Sequence, residues 1–226
     1  MIYVMSDLHG EFAAYLAMMI KIGFSERDTV YILGDVIDRG NGGIDLLLSM
    51  KDTPGVVPIV GNHESLALPI MKAIRDGVPF ERIEKTKAYA VWVAMGGGPT
   101  VEKFRACGKR VREDIVKYIE AFTIYDEIEV GGKKFHLSHT LPPYDPDRDV
   151  HDVTFHEFIW GEPDYEKRYD PDVTFITGHT PTDFIDKKSS GKIWRGNGHI
   201  AIDCGATFDG GRLGCICLDT MEEYYV

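Results

Sequence analysis

Three short apolar runs near the start of the chain each lead into a polar, glycine-bearing motif, and helical stretches separate them. No other feature limits the fold as strongly. Ile2-Tyr3-Val4-Met5 leads into Asp7-Leu8-His9-Gly10. Residues 29–33 lead into Gly34-Asp35-Val36-Ile37-Asp38-Arg39-Gly40. Residues 56–60, after the turn signal Pro54-Gly55, lead into Gly61-Asn62-His63-Glu64. Between the first two runs, Phe12, Tyr15, Leu16, Met19 and Ile20 recur at helical spacing over residues 11–21, and Gly23 marks the stop. Residues 42–50 read as a second helix. Strands alternating with helices call for a parallel sheet with right-handed crossovers.

Residues 64–122 read as helical, with segments at 65–76, 81–95 and 111–122, interrupted by Gly96-Gly97-Gly98-Pro99. The remainder is β-rich. Residues 124–130, Gly131-Gly132 and residues 133–138 form a hairpin pattern, and 173–177, 193–195, 199–203 and 213–218 read as further strands. The expected architecture is α/β: two mixed β-sheets packed as a sandwich with flanking helices. No linker or fixed-period repeat divides residues 1–226, so one domain is expected.

Charge narrows the function. The chain carries 25 basic and 36 acidic residues, a net charge of −11. Such a surface repels a phosphate backbone, which excludes a general nucleic-acid binder. An acidic protein can still hold a phosphate group if bound cations supply the positive field. No apolar run is long enough to span a membrane, and the opening residues read as a strand rather than a leader. The cysteines Cys107, Cys204, Cys215 and Cys217 form neither a disulfide framework nor a zinc pattern, and Cys215 and Cys217 share one strand face. A cytoplasmic location is expected.

In open α/β sheets ligands bind beyond the carboxyl ends of the strands. Three neighbouring strands would therefore aim Asp7, His9, Asp35, Asn62 and His63 at one spot. Alternation along the first strand should place Asp7 and His9 on one face. A single Asp or Asn after a strand is an ordinary turn residue. Carboxylates, imidazoles and an amide converging from three strand ends make a donor set for divalent transition metals.

In order and spacing, Asp-x-His-Gly, Gly-Asp-x-x-Asp-Arg-Gly and Gly-Asn-His-Glu resemble the phosphoprotein phosphatase branch of the calcineurin-like metallophosphoesterases. His139, after the strand pattern at 133–138, and Gly178-His179-Thr180, after that at 173–177, complete the likeness, which runs from Asp7 to His179. The compact length resembles the bacterial and phage serine/threonine phosphatases. The resemblance implies two metal ions, Mn foremost, with Fe or Zn as alternatives. Asp7, His9 and Asp35 would hold the first; Asp35 would bridge to the second, with Asn62, His139 and His179. The middle position of Asp35 among the three strand-end groups agrees with a bridge. Arg39 would hold a phosphate oxygen, His63 would protonate the leaving oxygen, and Asp38 would orient His63. The implied reaction is hydrolysis of a phosphoester by a hydroxide the metal pair generates. The expected substrate is a phosphoprotein or a small phosphoester: serine or threonine phosphate, with tyrosine phosphate also open. Symmetrical diadenosine tetraphosphate hydrolysis is the alternative within the same branch, and a non-catalytic phosphate sensor or scaffold the alternative outside enzymes.

Some positions depart from that pattern. Ser6 stands where many members have Gly, and Thr140-Leu141-Pro142-Pro143 follows the first late histidine where Gly or Ala is commoner. Related enzymes carry an Arg just after the Trp that corresponds to Trp160; here Gly161 and Glu162 follow. Arg148, Arg168 and Arg195 are candidate replacements, each read singly as a surface residue. His136 is expected to be structural, and His151, His156 and His199 to be surface or supporting groups. The acidic loop 145–149 lacks the Gly and Glu of a calcium hand. Gly96 to Gly98 make no dinucleotide fingerprint, and His156-Glu157 lacks the second His of a zinc-protease helix.

Overall fold

The computed structural model describes residues 1–149 and 152–226. The first sheet contains β1 (Ile2–Met5), β2 (Thr29–Leu33) and β3 (Val56–Ile59), all parallel. Helices α1 (Phe12–Lys21) and α2 (Gly43–Lys51) make the crossovers. The helical stretch follows as α3 (Asn62–Arg75), α4 (Phe80–Ile83), α5 (Lys87–Trp92), a π turn at Val93–Gly97, α6 (Gly98–Ala106) and α7 (Lys109–Glu120). The second sheet is built from β4 (Tyr125–Val130), β5 (Lys133–Ser138), β6 (Val173–Thr177), β7 (Trp194–Gly196) and β8 (His199–Ala201). Helix α8 (Phe155–Trp160) lies between β5 and β6, and α9 (Thr182–Ile185) after β6. The chain then returns to the first sheet through β9 (Gly214–Cys217) and β10 (Glu223–Tyr225).

The orders are β10-β9-β1-β2-β3 and β4-β5-β6-β8-β7. Strand alternation sorts the core into layers. Val4, Leu33 and Ile216 of the first sheet meet Phe135, Leu137 and Ile176 of the second. Tyr3, Met5, Val30, Ile32, Cys215 and Cys217 point the other way, under the helices α1, α2, α3 and α7. A small cluster of Leu141, Phe158 and Phe175 covers the outer side of the second sheet. The expected sandwich with flanking helices is the observed architecture, and one face carries far more helix than the other.

One reading of the middle needs correction. Gly96 to Pro99 do not simply break a helix: Gly96, at φ 105°, sits in the π turn, and a new helix, α6, starts at Gly98. That helix has Pro99 in its first turn, where the missing N–H is no loss. The short elements α8, α9 and β10 were not foreseen. Strand β8 ends at Ala201, which leaves Asp203 in the following loop.

Candidate metal centre

Five chain segments bring the candidate residues together. Asp7 and His9 follow β1, Asp35 follows β2, Asn62 and His63 open α3 after β3, His139 follows β5, and His179 follows β6. Every one lies beyond the carboxyl end of a parallel strand, where the two sheets meet. The route differs from simple alternation. Asp7 and His9 are off the strand, at φ 53° and 42°, and converge through left-handed turns. Asp35, Asp38, Arg39 and His179 share that conformation at φ 53°, 74°, 63° and 66°. Such backbone costs about 1–3 kcal/mol per residue and survives where surroundings over-determine it. Backbone bonds do so here: His9 N–H donates to Asp35 O (2.9 Å) and Gly10 N–H to Val36 O (2.9 Å). Glu64 adds a clamp, its carboxylate accepting from the N–H groups of Gly61, Asp35 and Val36 at 2.9 Å each.

Proton positions follow from partners. His139 Nδ1 donates to Leu33 O at 2.7 Å, so its Nε2 is bare. Around that nitrogen lie Asn62 Oδ1 at 2.9 Å, His179 Nδ1 at 3.1 Å and Asp35 Oδ1 at 3.5 Å. His9 Nδ1 donates to Ile37 O (3.2 Å), and its bare Nε2 faces Asp35 Oδ2 at 3.7 Å and Asp7 Oδ1 at 3.9 Å. Asp7 Oδ1 is buried without a hydrogen-bond partner. Lone pairs thus face lone pairs across gaps of this size. Metal–ligand bonds of about 2.0–2.2 Å set neighbouring ligands roughly 3 Å apart or more, so the donor set fits a cation in each cluster. Turning the Asn62 carboxamide would instead let its NH2 donate to Asp35 and both imidazoles, so a cation and a turned amide compete for the same partners.

The electrostatics agree. Burial pushes His9 down to about 3 and His179 down to about 4, and it lowers His139 too, so all three are neutral and ready to ligate. Burial works against ionised Asp35, but the histidines around it, of which His63 is the one that keeps its charge, hold the carboxyl below the usual range. Asp7 is pushed well up by burial and by the fields of Asp203 and Asp35. Bound divalent cations would relieve that crowding of buried carboxylates.

His63 is different. Its Nδ1 donates to Asp38 Oδ2 at 2.7 Å, and Asp38 Oδ2 also accepts from Trp92 Nε1 at 2.8 Å. Burial opposes the charged ring, yet Asp35 and Asp38 raise His63 above the ordinary histidine value. Its Nε2 is buried without a hydrogen-bond partner, 3.8 Å from Asp35 Oδ2. Arg39 is exposed at the rim, its N–H donating to Gly96 O at 2.9 Å. A Cβ on Gly96 would come within 3.0 Å of Arg39 Cγ. The π turn therefore fixes the backbone at Arg39, a link that sequence spacing alone did not expose.

The other candidate cations point elsewhere. Arg148 pairs with Glu157 at 2.6 Å, Arg195 with Glu223 at 2.6 Å, and Arg168 donates to the carbonyls of Asp170 and Pro171. A Cβ at Gly161 would meet Leu141 O at 2.0 Å, so no arginine fits there without moving backbone, and Glu162 is exposed. His136 is buried and stacks on Phe158. His156 is exposed against Trp160. His199 is buried, its Nε2 at 2.8 Å from Thr177 Oγ1, and not a surface group. His151 and Val150 lie outside the described residues. Trp92, Thr100, Glu64 and Asp203 were missed as site residues. Thr100 Oγ1 accepts from Asp38 N–H at 3.0 Å, and burial lifts Asp203 to about 7. A tryptophan just before three glycines was the one available signal for the first.

Among known proteins, a family model described as calcineurin-like phosphoesterase matches residues 1–205. Serine/threonine-protein phosphatase 2 of Salmonella typhimurium is 28% identical over 148 residues, covering 64% of this chain and 60% of that protein. The symmetrical bis(5'-nucleosyl)-tetraphosphatase of Escherichia coli O139:H28 is 31% identical over 83 residues, covering 36% of this chain and 30% of that protein. The chain thus spans less than two thirds of the length of either curated relative. A solved serine/threonine phosphatase structure from Saccharomyces cerevisiae shares the fold at a TM-score of 0.62 and 16% identity, over 95% of this chain and 71% of that one.

Proposed function

We propose, from the premise that the chain belongs to the calcineurin-like phosphoesterase family, that it is a metal-dependent phosphomonoesterase acting on phosphoproteins. In this reading residues 1–226 act as one catalytic domain. Asp7, His9 and Asp35 hold one cation, and Asp35, Asn62, His139 and His179 a second. Mn suits this mixture of carboxylate, amide and imidazole, with Fe or Zn as alternatives. When bound, the two cations polarise the phosphoryl oxygens and lower the pKa of water. The observation that carries the reading is the contrast within one pocket. Several bare donors converge on Asp35 and His139, while His63 beside them keeps its proton.

The chain's own residues then divide the work. Arg39 holds phosphate through its planar fork. His63 Nε2 delivers a proton to the ester oxygen as the P–O bond breaks, water oxygen having bonded to phosphorus. Asp38, held by Trp92 and Thr100, keeps the His63 ring turned and favours its charged form. The likeness to Serine/threonine-protein phosphatase 2 favours a phosphoprotein substrate. The likeness to a symmetrical tetraphosphatase supports dinucleoside tetraphosphate hydrolysis as the second reading. A non-catalytic role is disfavoured because each expected ligand and the acid are present. Among the described residues no helix is long and apolar enough to cross a membrane, and the four free cysteines support a cytoplasmic setting. Rates on p-nitrophenyl phosphate, a phosphoserine peptide and diadenosine tetraphosphate decide between the readings. Turnover of the first two but not the third is expected; a tetraphosphate rate far above the peptide rate would reverse the assignment.

A further inference from the structure

Phe208, whose ring lies near Arg39, walls a cleft that the steps above leave without a use. It is a cavity of about 180 Å³ between the loop after His179 and the loop at 204–211. Thr182 and Cys204, both buried, line it together with Phe184 and Phe208, which are 69% and 48% exposed. The two loops are joined, since Thr182 N–H donates to Asp203 O at 2.9 Å. Phe208 is fixed in a tight turn: its N–H donates to Gly205 O at 2.8 Å, and Gly211 N–H to Phe208 O at 2.9 Å. The Arg39 guanidinium carbon lies 5.7 Å from the centre of the Phe208 ring.

We infer that this cleft receives the leaving group of an aryl phosphate, the phenol ring of a phosphotyrosine side chain, with Phe184 and Phe208 as specificity residues. The inference rests on the proposed role of Arg39 as phosphate clamp. An apolar cavity of about 150 Å³ is enough to hold benzene, so a phenol ring fits. In an aryl ester the ring is one oxygen atom from phosphorus, so phosphate at Arg39 sets the ring beside Phe208. Symmetrical cleavage of a dinucleoside tetraphosphate makes a nucleoside diphosphate leave, and there a phosphate and a ribose separate the base from the attacked phosphorus. Charge points the same way. Asp183 and Asp209 line the cleft; Asp183 has Lys187 at 3.5 Å, while Asp209 has no ion pair among the described residues. A polyphosphate leaving group would meet those carboxylates, and a neutral phenol would not. Phosphoserine and phosphothreonine carry no ring to fill the space.

Calorimetry of the Mn-loaded full chain with phenylphosphonate and methylphosphonate tests this without turnover. The phenyl compound should bind about tenfold tighter, the usual scale of aromatic contacts. The preference should vanish in the double variant Phe184→Ala/Phe208→Ala and persist in Phe208→Trp. Equal affinities in the unmodified protein, with phosphoserine hydrolysis intact, would overturn the cleft alone. So would a preference that survives the double variant, or equal weakening of both compounds, which would leave Phe208 only a support for Arg39. Binding of neither compound, with no hydrolysis of phosphoserine, would remove the phosphoesterase reading and the cleft with it. Turnover should follow the same ratio: the double variant should lose about tenfold more kcat/KM on a phosphotyrosine peptide than on its phosphoserine counterpart. A larger loss on diadenosine tetraphosphate than on phosphotyrosine would give the ring site to a nucleobase and contradict the inference.

Discussion

His9 and His63 lie 4.8 Å apart between ring centres, and both are buried. Yet burial pushes His9 down to about 3, while His63 is held above the ordinary histidine value. The partner on Nδ1 separates them. On the floor of the pocket, His9 and His139 donate to backbone carbonyls, which fix the tautomer and add little field. On the wall, His63 donates to the buried carboxylate of Asp38. Equal burial thus leaves one imidazole neutral and the other charged, the difference that the proposed division into ligand and acid requires. Pairs of titratable groups pushed apart in this way are the usual mark of divided catalytic roles.

Breaking the floor should have the largest effect. Asp35→Asn removes the charge shared between the two clusters, and phosphoester hydrolysis should fall by at least about 10³-fold, the upper range for losing an electrostatic stabiliser. Retained full activity would remove the two-metal reading. Breaking the wall comes next. His63→Asn should slow turnover of a phosphoserine peptide by about 10²- to 10³-fold, the worth of a general acid. The loss on p-nitrophenyl phosphate should be much smaller, because nitrophenolate leaves without a proton. Equal losses on both substrates would count against the acid role.

Arg39 sharpens the wall further. Arg39→Ala should lower kcat/KM by about 10- to 100-fold, in line with a charged hydrogen bond. Ala at Arg148, Arg168 or Arg195 should do little, since each is bonded away from the site. Any one matching Arg39 would reveal a second clamp.

The smallest effect concerns His199, a buried imidazole with no carboxylate partner among the described residues, pushed down to about 3 by burial. Its ordinary value in the unfolded chain is near 6.5, so below that pH the unfolded state binds the extra proton. The neutral ring's contribution to stability is present above about 6.5 and lost as pH falls towards 3. In chelator-treated protein, unfolding free energies from urea titrations between pH 6 and 4 should fall less steeply for His199→Gln, by up to about 1.4 kcal/mol per pH unit. Identical slopes would show that His199 takes no part.

The floor was legible in the sequence because each of its motifs follows an apolar strand, and strand ends converge by topology. Asp7, His9, Asp35, Asn62, His139 and His179 could all be named from that placement with the family likeness. The sandwich was legible from alternation and from the shift from helix to strand patterns. The wall was less so. Trp92, Thr100 and Gly96 come from a helical region whose register on Asp38 and Arg39 depends on a π turn, and no periodicity reports such a turn. The alternation argument for Asp7 and His9 reached the right cluster by a wrong path, since the backbone there has left the strand for left-handed turns. Short α9 and β10 lack a full period of apolar residues, whereas α8 did carry a local signal, the Thr154–Glu157 capping box ahead of Phe158 and Ile159, that went unread.

Metal content of two variants tests the division between floor and wall most directly. His63→Asn and His139→Asn proteins, purified without chelator and loaded with Mn, should differ. The His63 variant should keep about two equivalents, and the His139 variant at most about one, as expected for loss of a direct ligand. Equal loss from both would make His63 a ligand and contradict its role as the acid.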